Sequence, residues 1–211
     1  MAQITTLFFD IGGVLLSNGW DTHDRQAAVK KFALDLDDFE ARHHQIVDAF
    51  ELGLIDLHEY LTQTVFTQNR PFHEDEFVRF MFDQSQPHTD TLALVAELSR
   101  SNRYLLATLN NESLELNIHR IEKFHLNDYF TAFFSSCFLG AMKPDSEIYR
   151  KALQITQRSP DECILIDDRE ANLEPAQHLG MNTIHYQDAQ QLRQELSRLG
   201  VETSASPSAV S

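Results

Sequence analysis

The sequence predicts an α/β chain: a parallel sheet with an all-helical unit inserted near its start. Three observations carry this. Ile4-Thr5-Thr6-Leu7-Phe8-Phe9 is a strand-length run rich in β-formers, ended by Asp10 and then Gly12-Gly13. Such a run suits a parallel strand buried on both faces. From about Asp21 to about Ser85 the patterning is helical throughout. Beyond Gln86-Pro87, strand-like and helical stretches alternate as they do in βαβ units.

Each element has its own signal. After the first strand, Ser17-Asn18-Gly19-Trp20 reads as a turn carrying one large aromatic. Ala27, Ala28, Val29, Phe32 and Leu34 give one amphipathic helix; Phe39, Ile46, Val47 and Phe50 give a second. Leu52-Gly53-Leu54-Ile55 breaks the pattern, and Asp56 with Glu59 opens a third helix as a capping box. Phe77, Val78, Phe80, Met81 and Phe82 mark a fourth, and the aromatic density of this unit reads as its core. The later strands are Tyr104–Thr108, Phe133–Ser136, Cys163–Ile166 and Thr183–Tyr186. Gly180 and Gly200 end the helices before them as C-caps. The expected division is an α/β core over residues 1–16 and 86–200, a helical unit over 17–85, and a small, polar, disordered tail over 201–211.

The bulk numbers exclude some functions. The formal net charge of -15 argues against nucleic acid and anionic membrane surfaces, which both need basic patches. An anionic substrate therefore needs a local positive source. No apolar run approaches membrane-spanning length, and no signal peptide is visible. The two cysteines, Cys137 and Cys163, suggest neither a disulfide framework nor a metal site. A reducing cytoplasm is the expected location. Ten histidines invite a metal reading, but none stands in His-x-x-x-His spacing. Oligomeric state is not written in the chain.

Four features fall where strands end or helices begin. In open α/β sheets, ligands bind beyond the carboxyl ends of the strands. Asp10 ends the first strand. Thr108 closes the second, with Asn110 beyond it. Lys143 lies in Gly140-Ala141-Met142-Lys143-Pro144-Asp145, a loop entering a helix, and Asp167-Asp168 terminates Cys163-Ile164-Leu165-Ile166. A parallel sheet brings all four to one edge. Carboxylates, a hydroxyl, a lysine and exposed main chain together suit Mg²⁺ with a phosphoryl group. The lysine and the ion supply the positive charge that the net charge withholds.

At this point the chain resembles the haloacid dehalogenase-like hydrolase superfamily. Phe9-Asp10-Ile11-Gly12-Gly13-Val14-Leu15 is similar to its first motif, usually Asp-x-Asp-x-Thr/Val, and Thr108 matches the second-motif hydroxyl. Lys143-Pro144-Asp145 with Ile148-Tyr149 resembles the third motif, and Ile166-Asp167-Asp168-Arg169 with Asn172 the fourth. Gly180-Met181 also fits, and Gly53-Leu54-Ile55-Asp56 resembles a recurrent turn of the family's helical cap. The likeness runs from about Ile4 to about Gly200. It implies a Rossmann-like, doubly wound core with an inserted cap, and a phosphatase acting on a small phosphorylated metabolite. Asp10 would be the nucleophile and form an aspartyl-phosphate; Lys143 would orient it and neutralise charge. Thr108, Asn110 and Lys143 would hold the phosphoryl group. Asp10, Gly12 through its carbonyl, and Asp168 would bind Mg²⁺, with Asp167 supporting them.

One departure matters. The family's phosphatases usually carry an Asp two residues after the nucleophile as general acid and base, and here Gly12 stands there. Such help is worth roughly 10²–10⁴ in rate. Gly12 therefore implies slow turnover of alkyl phosphates unless another residue, such as a histidine, fills the role. Two alternatives follow: a weakly active or non-catalytic protein that binds a ligand or partner, and a haloacid dehalogenase. Asp167-Asp168 counts against the second, because those dehalogenases work without metal.

Overall fold

Residues 2–203 are described by the computed structural model. The chain enters at β1 (Thr6–Phe9) and runs through four helices, α1 (Thr22–Phe32), α2 (Leu36–Glu51), α3 (Leu57–Thr64) and α4 (Glu74–Asp83). α5 (Thr89–Ser101) leads into β2 (Leu105–Asn110), α6 (Leu114–Lys123), β3 (Ala132–Ser135) and the short α7 (Ser136–Leu139). α8 (Ser146–Thr156), β4 (Cys163–Asp167), α9 (Glu170–His178), β5 (Asn182–His185) and α10 (Ala189–Arg198) follow. The strands form one sheet in the order β3-β2-β1-β4-β5, every pairing parallel.

Side-chain alternation divides the core between two faces. On one, Leu7 and Phe9 pack with Leu94 and Leu98 of α5 and Leu192 and Leu196 of α10. On the other, Phe8 and Leu165 pack with Ile148 and Ala152 of α8 and Leu173 of α9. A sheet covered by helices on both faces explains why its strands read as continuous apolar runs. The chain steps from β1 out to β3, then returns across β1 to β4. Strand order therefore reverses at β1, where such sheets open a crevice at their carboxyl edge.

α1 to α4 pack around their own aromatic cluster. Trp20, Phe32, Phe39, Phe50, Tyr60 and Phe77 are all buried in it. The Phe50 and Tyr60 rings stack at 4.2 Å, and Trp20 Nε1 donates to Tyr60 Oη at 2.8 Å. Aspartates cap these helices as the sequence implies: Asp21, Asp35 and Asp56 accept main-chain N–H bonds from Asp24, Asp38 and Glu59.

Residues 201–203, expected as the start of a tail, pack onto the core instead. Gly200, with a left-handed φ of 80°, turns the chain back. Val201 N–H then bonds Leu196 O at 2.9 Å and its side chain enters the core. Glu202 N–H reaches Tyr104 Oη, and Arg193 reaches Thr203 Oγ1. The rest of that expectation, residues 204–211, lies outside the described residues. Among the described residues, no helix is long and apolar enough to cross a membrane.

Candidate active site

The carboxyl edge of β1 and β4 gathers the charged groups. Asp10 follows β1, its N–H bonded to Ile166 O at 2.9 Å. Asp167 ends β4, Asp168 follows it, and Lys143 arrives from the loop before α8. Lys143 Nζ lies 3.0 Å from Asp10 Oδ2 and 2.6 Å from Asp167 Oδ2. Asn111 locks that loop in both directions, accepting Lys143 N–H and donating to Lys143 O, each at 2.8 Å. The lysine's position is thus fixed by its main chain as well as by its ion pairs.

Asp167 is fully engaged. Besides Lys143 it accepts the Arg169 N–H and both oxygens accept from Asn172 Nδ2 at 3.0 and 3.1 Å. Its work is to hold Lys143 and the chain that bears Asp168. Asp10 keeps Oδ1 on the Ile11 N–H and turns Oδ2 to the lysine. Burial pushes the Asp10 carboxyl up to about 7; Lys143 pulls it down, and Asp167 and Asp168 add to the rise. Burial and Asp167 raise Asp168 in the same direction. Burial works against the Lys143 ammonium, but Asp10 and Asp167 outweigh it and hold its pKa above the ordinary value.

These residues fit a hard divalent cation. Oxygen atoms of Asp10, Asp167 and Asp168 lie within 4.8 Å of one another. Three carboxylates face one ammonium, so a cation removes their mutual repulsion. Asp168 Oδ1 is buried without a hydrogen-bond partner. Gly13, at φ 73°, leaves room for that carboxylate, because a Cβ there would run into Asp168 Oδ2. Gly12 stands beside Asp10 in the same cleft.

Two residues expected at the phosphoryl group do not line this cleft. Thr108 pairs with Phe9 in the sheet and is wholly buried, its hydroxyl without a hydrogen-bond partner. Asn110 is buried as well: its amide donates to Asn117 Oδ1 and accepts from Ser135 Oγ. The strand runs two residues further than its apolar stretch, and Asn111 is the residue that reaches the cleft. The structure brings together Asp10, Gly12 and Lys143 around one cavity, with Asp167 and Asp168 behind them.

That cavity, about 360 Å³, is also lined by residues not anticipated from sequence: Glu51, Asn111, Glu112, Arg120 and Arg169. Arg120 Nη1 pairs with Glu112 Oε2 at 2.9 Å, and its Nη2 donates to Ser17 O. This buried pair fixes the linker that carries the chain from β1 to α1. Its members lie eight residues apart, on a loop and on a helix, so spacing gave no sign of them. A second cavity of about 230 Å³ shares Gly19, Glu51, Glu112 and Arg169 with the first. Trp20, His43 and Phe50 line its far end. His43 Nδ1 is 2.8 Å from Tyr60 Oη, and burial lowers the His43 pKa to about 4, so the ring is neutral.

Comparison with known proteins places this geometry in context. A model described as haloacid dehalogenase-like hydrolase matches residues 4–180. Flavin mononucleotide hydrolase 1 of Arabidopsis thaliana is 29% identical over 78% of this chain and 66% of its own length. Glyceraldehyde 3-phosphate phosphatase of Pyrococcus furiosus is 25% identical over 88% of this chain and 82% of its own. The chain spans just under two thirds of the Arabidopsis protein, and 13% of rat bifunctional epoxide hydrolase 2. Among solved structures, a HAD family enzyme of Bacteroides thetaiotaomicron superposes with a TM-score of 0.78 at 22% identity, covering 92% of this chain and 99% of that one. A second structure of that enzyme, a complex with magnesium and inorganic phosphate, has a TM-score of 0.70 at 23% identity, covering 88% and 95%.

Proposed function

This chain belongs to the haloacid dehalogenase-like hydrolase family, and from that premise we propose that it is a Mg²⁺-dependent phosphatase acting on a small phosphorylated metabolite. The observation that carries the reading is the Lys143 ammonium 3.0 Å from Asp10 Oδ2, in a cavity of metabolite size. Asp10 is the nucleophile. Its carboxylate oxygen bonds to phosphorus as the ester oxygen leaves, and water then hydrolyses the aspartyl-phosphate. Lys143 fixes the attacking carboxylate and offers positive charge to the phosphoryl oxygens.

Asp10, Asp168 and the Gly12 carbonyl would hold Mg²⁺, with Asp167 supporting them. The ion supplies neutralising charge to a phosphoryl oxygen. Its support here is the unpartnered Asp168 Oδ1 beside the carboxylates of Asp10 and Asp167, together with the magnesium complex of the Bacteroides enzyme. The Arabidopsis flavin mononucleotide hydrolase and the Pyrococcus glyceraldehyde 3-phosphate phosphatase support the substrate class. The helices α1 to α4 act as a cap that closes the leaving-group end of the cleft, where Trp20, His43 and Phe50 stand.

A panel of phosphate monoesters, assayed with Mg²⁺ and with EDTA, tests the reading. Release of phosphate that needs Mg²⁺ and is lost in Asp10→Asn is expected. Hydrolysis that survives Asp10→Asn, or a panel with no turnover, would overturn it.

A further inference from the structure

Gly12 leaves the leaving group without its usual proton donor, and the cavity itself points to the replacement. Asn18 stands beside residue 12, its Oδ1 3.4 Å from where a Cβ there would lie, and an amide cannot serve as the acid. His43 lines the inner cavity, but it is neutral and engaged with Tyr60. Among the carboxyls of the main cavity, Asp10 is paired with Lys143, and Glu112 is held by Arg120 and the Ser113 N–H. Glu51 is left. Its side chain has no hydrogen-bond or ion-pair partner among the described residues, and it lines both cavities where they join.

Resting on the phosphatase reading, we propose that Glu51, at the end of α2, is the general acid and base of this enzyme. The cap residue is anchored to the core. Ser136 Oγ donates to Glu51 O at 2.6 Å and accepts the Glu112 N–H at 3.0 Å. Two residues on, Gly53, at φ 69°, sits against Cys137, with a Cβ there falling 2.9 Å from Cys137 O. The turn after α2 is therefore seated on α7, and Glu51 lines the same cavity as the nucleophile.

Burial pushes the Glu51 carboxyl up to about 7, and Glu112 and Asp48 raise it further, while Arg169 and Lys143 pull it down. Both protonation states are then populated near neutral pH, as a group that gives and takes a proton in turn requires. In the first step the Asp10 oxygen–phosphorus bond forms and the ester oxygen–phosphorus bond breaks. The Glu51 proton passes to the departing oxygen, releasing the alcohol. In the second step the Glu51 carboxylate takes a proton from water as that oxygen bonds to phosphorus and the aspartyl bond breaks, releasing phosphate and restoring Glu51.

The test compares wild type and Glu51→Gln on an alkyl monoester, glycerol phosphate, and an aryl one, 4-nitrophenyl phosphate. The ratio kcat/KM reports only the first step. For the alkyl ester it should fall about 10²–10⁴-fold; for the aryl ester, whose leaving group needs no proton, less than about tenfold. Hydrolysis of the intermediate should slow, so the variant should release a burst of one 4-nitrophenolate per enzyme. The fall of wild-type alkyl kcat above neutral pH should vanish in the variant. Equal losses on both esters, or no loss, would overturn the proposal while leaving the phosphatase reading intact. A wild type inactive on every ester, without a burst, would end both. Should Glu51→Gln unfold by circular dichroism, Glu51→Asp, which keeps the acid on a shorter stem, should show a smaller loss again confined to the alkyl ester. An unselective loss there counts against the proposal.

Discussion

Gly19 and Arg120 compete for one volume. A Cβ on Gly19 would overlap Arg120 Nη1 and the Glu112 Oε2 that it pairs with. Gly19→Ala should therefore displace a buried ion pair that the fold cannot readily rehouse. The expected loss is about 1–3 kcal/mol of unfolding free energy, the usual cost of overpacking. Urea unfolding measures it, and a change below about 0.5 kcal/mol would show that the linker yields instead.

Lys143 is the one ammonium among three carboxylates. Lys143→Met leaves Asp10 and Asp167 buried without a counter-charge. A loss of about 3–5 kcal/mol is expected in EDTA. Because the site becomes more negative, Mg²⁺ should recover more stability in this variant than in wild type. Turnover should fall to background in both buffers.

Magnesium should raise the melting temperature of the wild type by mass action. At about 100 times its Kd the ion contributes roughly 2.7 kcal/mol. Gly13→Ala puts a methyl group into the Asp168 carboxylate at a left-handed position. That variant should lose the Mg²⁺ response, as should Asp168→Asn. A Gly13→Ala protein that still gains the full shift would place the ion elsewhere.

His43 gives a pH signature of stability. The folded ring titrates at about 4 and the unfolded one near 6.5. Below 6.5 the unfolded chain takes up a proton that the folded chain refuses. The stability this group contributes is thus complete above 6.5, shrinks as pH falls, and levels off below 4. The whole effect is about 3 kcal/mol. The raised carboxyls Asp10 and Glu51 act with the opposite sign, stabilising as pH falls from about 7. They are common to wild type and His43→Gln, so the difference between the two isolates the histidine. That difference should shrink in wild type's disfavour between pH 6.5 and 4.5.

Gly12→Asp tests the division of labour with Glu51. A Cβ at Gly12 meets only ordinary contacts, with Asn18 and the Gly19 N, so the substitution does not force the turn to rebuild at that atom. In wild type the added acid should change alkyl-ester kcat/KM little. In Glu51→Gln it should restore much of the lost rate. A large gain in wild type would mean that no residue fills the role.

The elements carrying the nucleophile, the lysine and the acidic pair were legible in the chain. Unbroken apolar runs ended on Asp10 and Asp167, and a loop led Lys143 into a helix. Strand alternation then decided what the runs left open. Because β2 continues through Leu109 to Asn110, Thr108 and Asn110 are both buried within the sheet, leaving Asn111 at the cleft. The first residues after Gly200 read as tail because one valine among small polar neighbours shows no periodicity, yet it closes the core.

What the sequence alone determined is the class of fold and the chemistry of its carboxyl edge, because strand runs and the residues that end them are local properties. The packing of the elements set Glu51 and Asp10 on one cavity, gave Glu112 to Arg120, and made Gly13 leave room for Asp168. Those are meetings between segments far apart in the chain, set by how four helices seat on a sheet, and burial then shifts the charges that meet there.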